Sequence, residues 1–565
     1  MAAAPHGSNQ LDTLEQHAYA TRQDENNQVT VVEELRGRNS QTSLLQLPDK
    51  ILLSIVEYNT HIFRWLAWRS ITNIRLHMVK YKILAMSQVC HKLRSLLTSS
   101  PDPWTVIISL PYTTTSFVLE LLHRATPRPV DFIAVTDAPY RSLLPQLQAA
   151  LPVMRSVAIE LSPGFDDVRP DDFQPISGVA PHLRSLMLTH PVVSETRRML
   201  IPSIFDDVDC PEIVSLEVVN MTFSPAQFAW SGQLTRLVLL VDPEPVSEFL
   251  SPLILELHFL LVNVLSHVPL LEDLELGGVL RPEKNNYQLL SGIEVDLCQL
   301  QQLRVTNHGR SPSLLLKHIN IPVSARIHLD FKSCMHQSSV RELVEIVSQK
   351  LCAGVTSLSG FAVRPVTGGG QGAFIEGYTE VDSMTEILSE DRYLFRVFVP
   401  SPFQQQLWPS TFLATLARLP LGNVKIFHMD MWSSGCSISN VETLLRAMPL
   451  IHTLSWSERT LKHLASFLMA DSKEVEEAEE VNLSNKHLLL SSLKSLIIRG
   501  VELGGDSEAI QAFQSLCLAL KERQMLQIPI HSLLLYDCTE VSEEDLRLLA
   551  SYVIECFYDD TLISV

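Results

Sequence analysis

The sequence predicts an α/β chain in which a short, all-α N-terminal module precedes an irregular solenoid of strand-and-helix repeats. Three observations lead to this prediction. Apolar residues recur at helical spacing over two short stretches near the N-terminus. After residue 104 an apolar triplet recurs about every 20–40 residues, a period typical of repeat proteins. Hydrophobic residues make up 46% of the 565-residue chain, so most of its segments must bury apolar surface.

Two short helices are predicted between Leu44 and Trp104. Pro48 suits a first helical turn, where its missing N–H costs nothing, and Asp49 lies near the positive end of the helix dipole. One apolar stripe follows, formed by Ile51, Leu52, Ile55 and Val56. A second stripe, which ends at Pro101 and Pro103, consists of Ala85, Val89, Leu93, Leu96 and Leu97. Helices this short cannot bury their apolar faces on each other alone, so the module is expected to need a partner.

This stretch resembles the F-box, the adaptor-docking module of cullin-type ubiquitin ligases. It is similar in particular to fungal F-box proteins, in which leucine-rich repeats follow. The resemblance lies in L-P-x-x-I-L-x-x-I, then S-x-V-C-H-x-x-R-x-L, then a Pro-Trp pair. The matching residues are Leu47, Pro48, Ile51, Leu52, Ile55, Leu84, Ser87, Val89, Cys90, Arg94 and Leu96. The chain departs from the family pattern at Leu93, where Trp is usual, and at an insertion over residues 61–82.

The resemblance implies a substrate-recognition subunit of a Skp–cullin–F-box ubiquitin ligase, located in the cytoplasm, the nucleus or both. The F-box would dock a Skp-type adaptor and through it a cullin–RING ligase, while the repeats would hold a protein destined for ubiquitin-dependent degradation. The implied adaptor-binding residues are Leu47, Pro48, Ile51, Leu52, Ile55, Val89, Cys90 and Leu96. The alternative is a leucine-rich-repeat scaffold whose decayed F-box only caps the solenoid. A docking F-box would leave an apolar face in solvent, whereas a cap would bury it.

The insertion has a composition unlike the rest of the chain. HIFRWLAWRSITNIRLHMVKYK holds five basic residues, no acidic one, and the tryptophans Trp65 and Trp68. It is consistent with a basic amphipathic helix for an anionic membrane or partner surface. The preferred interpretations are two others, of which the first is an extra helix or loop packed beside the F-box. A third interpretation is translated sequence that is normally spliced out, because its removal would join Thr60 to Ile83 at near-normal family spacing.

The repeat unit is an apolar triplet with the spacing L-x-x-L-x-L, usually introduced by a Pro or Gly turn. Its middle residues are Ile133, Val157, Leu186, Leu216, Leu237, Leu274 and Leu303, with later copies centred on Leu358, Ile426, Leu454, Leu496 and Leu533. This period is typical of leucine-rich repeats, in which each strand is followed by a return segment that is often helical. Amphipathic return helices are predicted over 338–351 and 509–520. Their apolar sides are Val340, Leu343, Val344 and Val347, and Ile510, Phe513, Leu516 and Leu520.

The predicted domains are a disordered segment over 1–43, an F-box-like domain over 44–104 and a repeat domain over 105–565. The Gly-rich stretch Arg364–Tyr378 is expected to be a mobile surface loop, since no Gly-Lys-Ser/Thr follows to make a phosphate loop. The acidic stretch Asp471–Glu480 is expected to be a solvated loop or helix face. Because loops carry function and the spacing is least regular after Leu303, the substrate surface is expected between Val355 and Leu535.

Several function classes are disfavoured by composition and missing motifs. The formal charge of −19 argues against nucleic-acid binding, which needs a basic excess. The 9 cysteines are single and scattered, as expected in a reducing compartment, and no signal peptide or membrane-spanning stretch is expected. No metal, nucleotide or hydrolase motif is present, so neither a cofactor nor catalysis is predicted. Lone histidines such as His428 are expected to be structural.

Overall fold

The structure is a computed structural model. The residues that it describes are 46–56, 88, 91–109, 113–136, 143–161, 176–190, 205, 207–221, 231–241, 256–280, 290–307, 310–332, 337–353, 357–365, 372–381, 383–387, 392–400, 412–430, 438–457, 461–469, 489–504, 507–559 and 561–563. The predicted disordered segment 1–43, the insertion 61–82 and the acidic stretch Asp471–Glu480 lie outside them. The chain divides into two compact units, Met1–Ile213 and Val214–Val565. The predicted boundary after residue 104 lies within the first unit and stays a prediction.

The first unit is mixed α/β. Its helices are α1 (49–56), α2 (His91–Ser99), α3 (Thr115–Ala125) and α4 (Leu144–Ala150). Its strands are β1 (Val106–Ser109), β2 (Val130–Thr136), β3 (Met154–Leu161), β4 (Ser177–Val179), β5 (Ser185–Thr189) and β6 (Asp207–Asp209). Strands β1, β2, β3 and β5 pair in that order, all parallel, and β4 pairs with β6. Parallel neighbours need a crossover between them, and α3 and α4 supply the first two crossovers.

The second unit is also mixed α/β, with a large, mostly parallel sheet. Its strands are β7 (Ser215–Val219), β8 (Arg236–Leu240), β9 (Asp273–Gly277), β10 (Val295–Asp296), β11 (Gln302–Asn307), β12 (Ile319–Asn320), β13 (Arg326–Phe331), β14 (Gly360–Pro365), β15 (Gly372–Tyr378), β16 (Phe395–Pro400), β17 (Ile426–Asp430), β18 (Thr453–Ser457), β19 (Ser495–Arg499), β20 (Ser532–Tyr536), β21 (Glu555–Tyr558) and β22 (Thr561–Leu562). Its helices are α5 (Leu257–Phe259), α6 (Ser311–His318), α7 (Gln337–Ala353), α8 (Met384–Ile387), α9 (Phe412–Leu416), α10 (Ile438–Arg446), α11 (Leu461–Leu468), α12 (Ser507–Met525) and α13 (Glu543–Ala550).

The strand order of this sheet departs from chain order at one place. From β7 to β13 the main-sheet strands pair in sequence, and from β17 to β21 they do so again. Between them the order is β13-β16-β15-β14-β17, in which β15 runs antiparallel to both neighbours. The chain therefore inserts a three-stranded meander between two parallel parts of the sheet, and only the terminal pair β21–β22 is also antiparallel among the described strands.

The apolar triplets form the sheet because alternate residues of a strand point to the same face. Leu216, Leu237, Leu274 and Leu303 pair in one row, and so do Leu454, Leu496 and Leu533; all of them are buried. The predicted return helices are confirmed as α7 and α12. Their predicted apolar residues are buried except Ile510, which is 44% exposed, so its assignment to the core was wrong.

Three details of the repeat prediction are corrected by the strand register. Val157 pairs with Phe132 rather than Ile133, because the register shifts at the start of β2. The rows continue through Phe361 and Phe427, so the anchors placed at Leu358 and Ile426 were wrong. The prediction also missed several strands, among them β13 and β16. Phenylalanine replaces leucine in several of these positions, and a pattern built on leucine does not recognise it.

The Gly-rich stretch Arg364–Tyr378 is not a surface loop over its whole length. Residues 372–378 form β15, the central strand of the meander. The glycines serve close packing, because a Cβ on Gly377 would overlap the ring of Phe395. Alternation of Phe374, Glu376 and Tyr378 with smaller residues is the strand signal that the glycine content obscured.

Candidate functional site

The N-terminal helices α1 and α2 are joined by specific polar contacts. The Lys92 ammonium donates to the carbonyl oxygen of Leu47 (3.2 Å) and forms an ion pair with Asp49 (3.3 Å). At the end of α2, the Trp104 indole N–H donates to the carbonyl of Leu97 (2.6 Å), and Arg124 of α3 lies 5.0 Å from the centre of the Trp104 ring. These contacts attach the end of α2 to α3, and α2 ends at Ser99, before Pro101 and Pro103 as predicted.

The predicted adaptor-binding residues differ in exposure. Pro48 is exposed and Ile51 is 47% exposed, while Leu47, Ile55 and Leu96 are half-buried. Leu52 is only 2% exposed and packs inside the chain. Val89 and Cys90 lie outside the described residues. The single apolar stripe expected on α1 is thus divided: Leu52 and Val56 are buried, and Ile51 is available to a partner.

A second candidate region is one face of the large sheet in the second unit. On each strand, the residues between the buried leucines point to this face, which we call the polar face. Over β7 to β11 it carries alternating charges. Arg236 lies 2.9 Å from Glu217 and 3.3 Å from Asp273, and Arg304 lies 3.9 Å from Glu275. Between 18% and 46% of each of these side chains is exposed, so the pairs are hydrated.

A buried ionic cluster lies on the meander, further along the polar face. Glu376 of β15 is fully buried. Its Oε2 accepts from Arg364 Nε (2.8 Å), and its Oε1 lies 3.2 Å from Arg396 Nε without the alignment of a hydrogen bond. The Tyr378 hydroxyl lies 2.9 Å from Oε2 and 2.7 Å from the Ile387 carbonyl. One carboxylate therefore faces two guanidinium groups at the centre of the sheet.

The segment after β15 covers part of the polar face. Met384 and Ile387 of α8, with Val381 and Tyr393, pack on buried residues of the sheet. Those sheet residues are Ala362, Tyr378, Ile426 and Ile497. Gly360 permits the close approach, since a Cβ there would lie 2.9 Å from the Ile387 Cδ1. This is the reason that Ile426 and Ile497 are buried although they lie on the polar face.

Two histidines on this face are held neutral. Burial, with Arg364 and Arg499 nearby, lowers the pKa of His428 to about 3, and its Nδ1 lies 2.9 Å from the Ser455 hydroxyl. Burial also lowers the pKa of His328 to about 4, and its Nδ1 lies 3.1 Å from the Tyr393 hydroxyl. Each imidazole therefore has a hydroxyl group as a polar partner. His428 lies in the middle of β17, where it fits the structural role expected for it.

At the carboxyl ends of five adjacent strands the polar face stays half-exposed. The side chains there, which we call the carboxyl-end row, are Arg364, Asp430, Ser457, Arg499 and Tyr536. The Ser457 hydroxyl donates to Asp430. The Arg499 guanidinium lies over the Tyr536 ring, 5.0 Å from its centre. Sequence reasoning missed this row, because it is assembled from residues between positions 364 and 536 that only the strand register brings together.

Metal ligands, thiols and long apolar helices are the other features of the described residues that could form a site. Nowhere in those residues do three or more His, Cys, Asp or Glu side chains converge so that they could hold a metal ion. The described cysteines are free thiols, and Cys210, Cys517, Cys538 and Cys556 are buried. Every described helix is too short or too polar to span a bilayer.

No protein-family model matches this sequence, and no curated protein matches it either.

Proposed function

We propose that the chain is a non-catalytic substrate-recognition subunit of a Skp–cullin–F-box ubiquitin ligase. Helices α1 and α2, with the residues between them, form the F-box and dock a Skp-type adaptor. The strands and helices that follow form an irregular leucine-rich-repeat solenoid, which holds the protein to be ubiquitylated. The chain acts within the cytoplasm, the nucleus or both.

The division of the α1 stripe carries this proposal. A docking module needs one apolar set that holds its helices to the chain and a second set that stays open. Leu52, Val56, Leu93 and Leu97 supply the buried set, each less than 10% exposed. Ile51 and Pro48, with the half-buried Leu47, Ile55 and Leu96, supply the open set. Apolar anchors at the centre of such a patch provide most of the binding energy of an interface.

The burial of Leu52 and Leu93 favours a second candidate function. Leu52 matches the F-box pattern, and Leu93 stands where that pattern usually has Trp. Both face the interior of this chain. A decayed F-box that only caps the repeats would bury its apolar residues in this way, since terminal repeats need a cover. In that case the chain is an interaction scaffold without an adaptor, and the exposure of Ile51 has no function.

The deciding experiment introduces one charge at Ile51. Ile51→Asp should abolish co-purification with a Skp-type adaptor, because a carboxylate would be buried without a partner at the interface. It should leave thermal unfolding unchanged, since Ile51 is exposed in the free chain. Leu119→Asp is the matched control: Leu119 is 46% exposed on α3, so the same charge is added at the same exposure elsewhere.

The expected pattern is loss of adaptor in Ile51→Asp and full retention in Leu119→Asp. Leu52→Asp should instead lower the unfolding temperature, because it places a charge in the interior. If wild-type chain and adaptor, expressed together, do not co-purify, the scaffold function replaces the ligase proposal. If wild type and Ile51→Asp retain the adaptor equally, the open set is not part of the interface.

A further inference from the structure

We propose that the carboxyl-end row binds an acidic segment of a partner protein, with Arg499 as the anchoring cation. This inference rests on the proposed function, since it names the chemistry of the substrate that a receptor would hold. The substrate surface was expected between Val355 and Leu535 partly because Arg364–Tyr378 was expected to be a loop. Residues 372–378 form a central strand instead, so the carboxyl-end row takes the place of that loop.

The strand register assembles the row. Asp430 pairs with Ser457, Ser457 with Arg499, and Arg499 with Tyr536. Arg364 follows Val363, which pairs with Met429, so it lies beside Asp430. Neighbouring strands are about 4.8 Å apart, so the five side chains extend over roughly 19 Å. That length matches five or six residues of an extended peptide at about 3.3 Å each.

Arg499 is the cation of the row without a matched anion. Its Nε is buried and makes no hydrogen bond to any described residue. No acidic side chain among the described residues forms an ion pair with it, whereas Arg364 is paired with Glu376. Asp430, two strands away, already accepts from Ser457. The Arg499 side chain as a whole is half-exposed, so an acceptor from solvent can reach it, and a charged donor without an anion favours such an acceptor.

The surroundings of Arg499 favour a carboxylate as that acceptor. The guanidinium lies over the Tyr536 ring, which restricts its freedom, and a guanidinium can bind a carboxylate through two parallel hydrogen bonds. The row carries two arginines against one aspartate, an excess of one positive charge in a chain of formal charge −19. Burial is the main cause of the lowered pKa of His428, and both arginines lower it further.

The neighbouring surface restricts the ligand to this row. Towards the amino ends of the strands, α8 covers Ala362, Ile426 and Ile497. On the meander, Arg364 and Arg396 already form ion pairs with Glu376. An acidic segment is thus expected to lie across the strands at their carboxyl ends, with one carboxylate on Arg499.

The test uses the full-length chain and a fluorescein-labelled octapeptide of alternating Glu and Gly, followed by fluorescence anisotropy. Matched octapeptides carry Gln or Lys in place of Glu. The Glu peptide should bind, the other two should not, and binding should weaken as salt is raised. Arg499→Gln should weaken it tenfold or more, as for a charge-assisted hydrogen bond of about 1.5–3 kcal/mol. Arg499→Lys keeps the positive charge but loses the two parallel hydrogen bonds of a guanidinium, so it should weaken peptide binding by less.

Arg547→Gln is the matched control, because Arg547 is an exposed arginine paired with Glu543 on α13. It should bind the Glu peptide as wild type does. Absence of binding to wild type, or equal binding by Arg499→Gln and wild type, would overturn the proposal. So would binding that emerges only in Glu458→Gln, which would show that this acid, outside the described residues, already neutralises Arg499. Tighter binding of a phosphoserine octapeptide than of the Glu octapeptide would also overturn it, by making phosphate the ligand.

Adaptor co-purification separates this proposal from the one on which it rests. Arg499→Gln should retain the adaptor, and Ile51→Asp should retain the Glu peptide. Peptide binding without any adaptor binding would remove the ligase function and leave the acidic-segment site. Adaptor binding without peptide binding would remove the acidic-segment site and leave the ligase function.

Discussion

The polar face of the large sheet has two halves that treat charge differently. Over β7 to β11, which we call the open half, Arg236 and its two acidic neighbours lie in hydrated pairs. From the meander to β20, which we call the covered half, Glu376 is fully buried between two arginines, and α8 lies over the face. Both halves bury every second residue on the opposite face of the sheet, but in the covered half Ala362, Ile426 and Ile497 also provide apolar surface on which α8 packs. The cost of a charge therefore depends on what covers the strand.

The meander explains this difference physically. Inserting β15 and β16 brings Val381, Met384, Ile387 and Tyr393 back over the sheet, so water is excluded from side chains that a simple parallel order would leave exposed. A charge without water must be compensated by a partner, and Glu376 is compensated by Arg364, Arg396 and Tyr378. In the open half, water supplies most of that compensation, so each pair contributes little.

The largest expected effect comes from removing the buried carboxylate. Glu376→Gln should lower the free energy of unfolding by about 3–5 kcal/mol, because two guanidinium groups lose their counter-ion at low exposure. The matched change in the open half, Glu217→Gln, should cost less than about 1 kcal/mol. Urea unfolding followed by circular dichroism measures both. Equal losses in the two variants would contradict the contrast between the halves.

A smaller effect is expected from the neutral histidine of the covered half. The pKa of His428 is about 3 in the folded chain and is expected near 6.5 when unfolded, so only the unfolded state gains a proton between these values. Stability from this group is complete above pH 6.5 and is lost as pH falls towards 3. Linkage gives about 1 kcal/mol between pH 6.5 and 5.5.

The control for this pH effect is His428→Gln, which can still hydrogen-bond to Ser455 but does not titrate. Its unfolding free energy should fall less steeply than that of wild type over the same pH range. His328, whose pKa is about 4, remains in both proteins and contributes equally to both slopes. Identical slopes in the two proteins would mean that His428 is not held neutral.

The smallest effect is expected at the hydrated pairs of the open half. Arg236→Gln breaks the pairs with Glu217 and Asp273 and should cost less than about 1 kcal/mol. The cost should shrink further in 0.5 M salt, because exposed charges are screened. A cost of several kcal/mol that does not change with salt would show that Arg236 is as well shielded from water as the charges of the covered half.

Part of the fold was predictable from residues alone. The leucine triplets located β7, β8, β9 and β11, since burial on one face of a strand imposes a period of two. The amphipathic segment 338–351 located α7 by its helical period. The meander could not be predicted in this way. Its strands place Phe361, Phe395 and Phe427 where the pattern expects leucine, and its glycines imitate a loop.

The candidate sites divide in the same way. The α1 stripe was visible in the sequence, because four apolar residues at helical spacing define a face whatever surrounds it. Which of them stays open was not visible, since Leu52 and Ile51 are equally apolar and differ only in what packs on them. The carboxyl-end row had no signal in the sequence, because Arg364 and Arg499 are separated by four other strands along the chain.

The sequence by itself determined the local quantities of this protein: the period of its strands, the amphipathic faces of its helices and the net charge of −19. These depend on neighbouring residues, which the chain order records directly. Only the tertiary structure decided the order β13-β16-β15-β14-β17, the burial of Glu376 and the meeting of Arg499 with Tyr536. Those features depend on the packing of residues distant in sequence, where burial removes water and so fixes the energy of every charge.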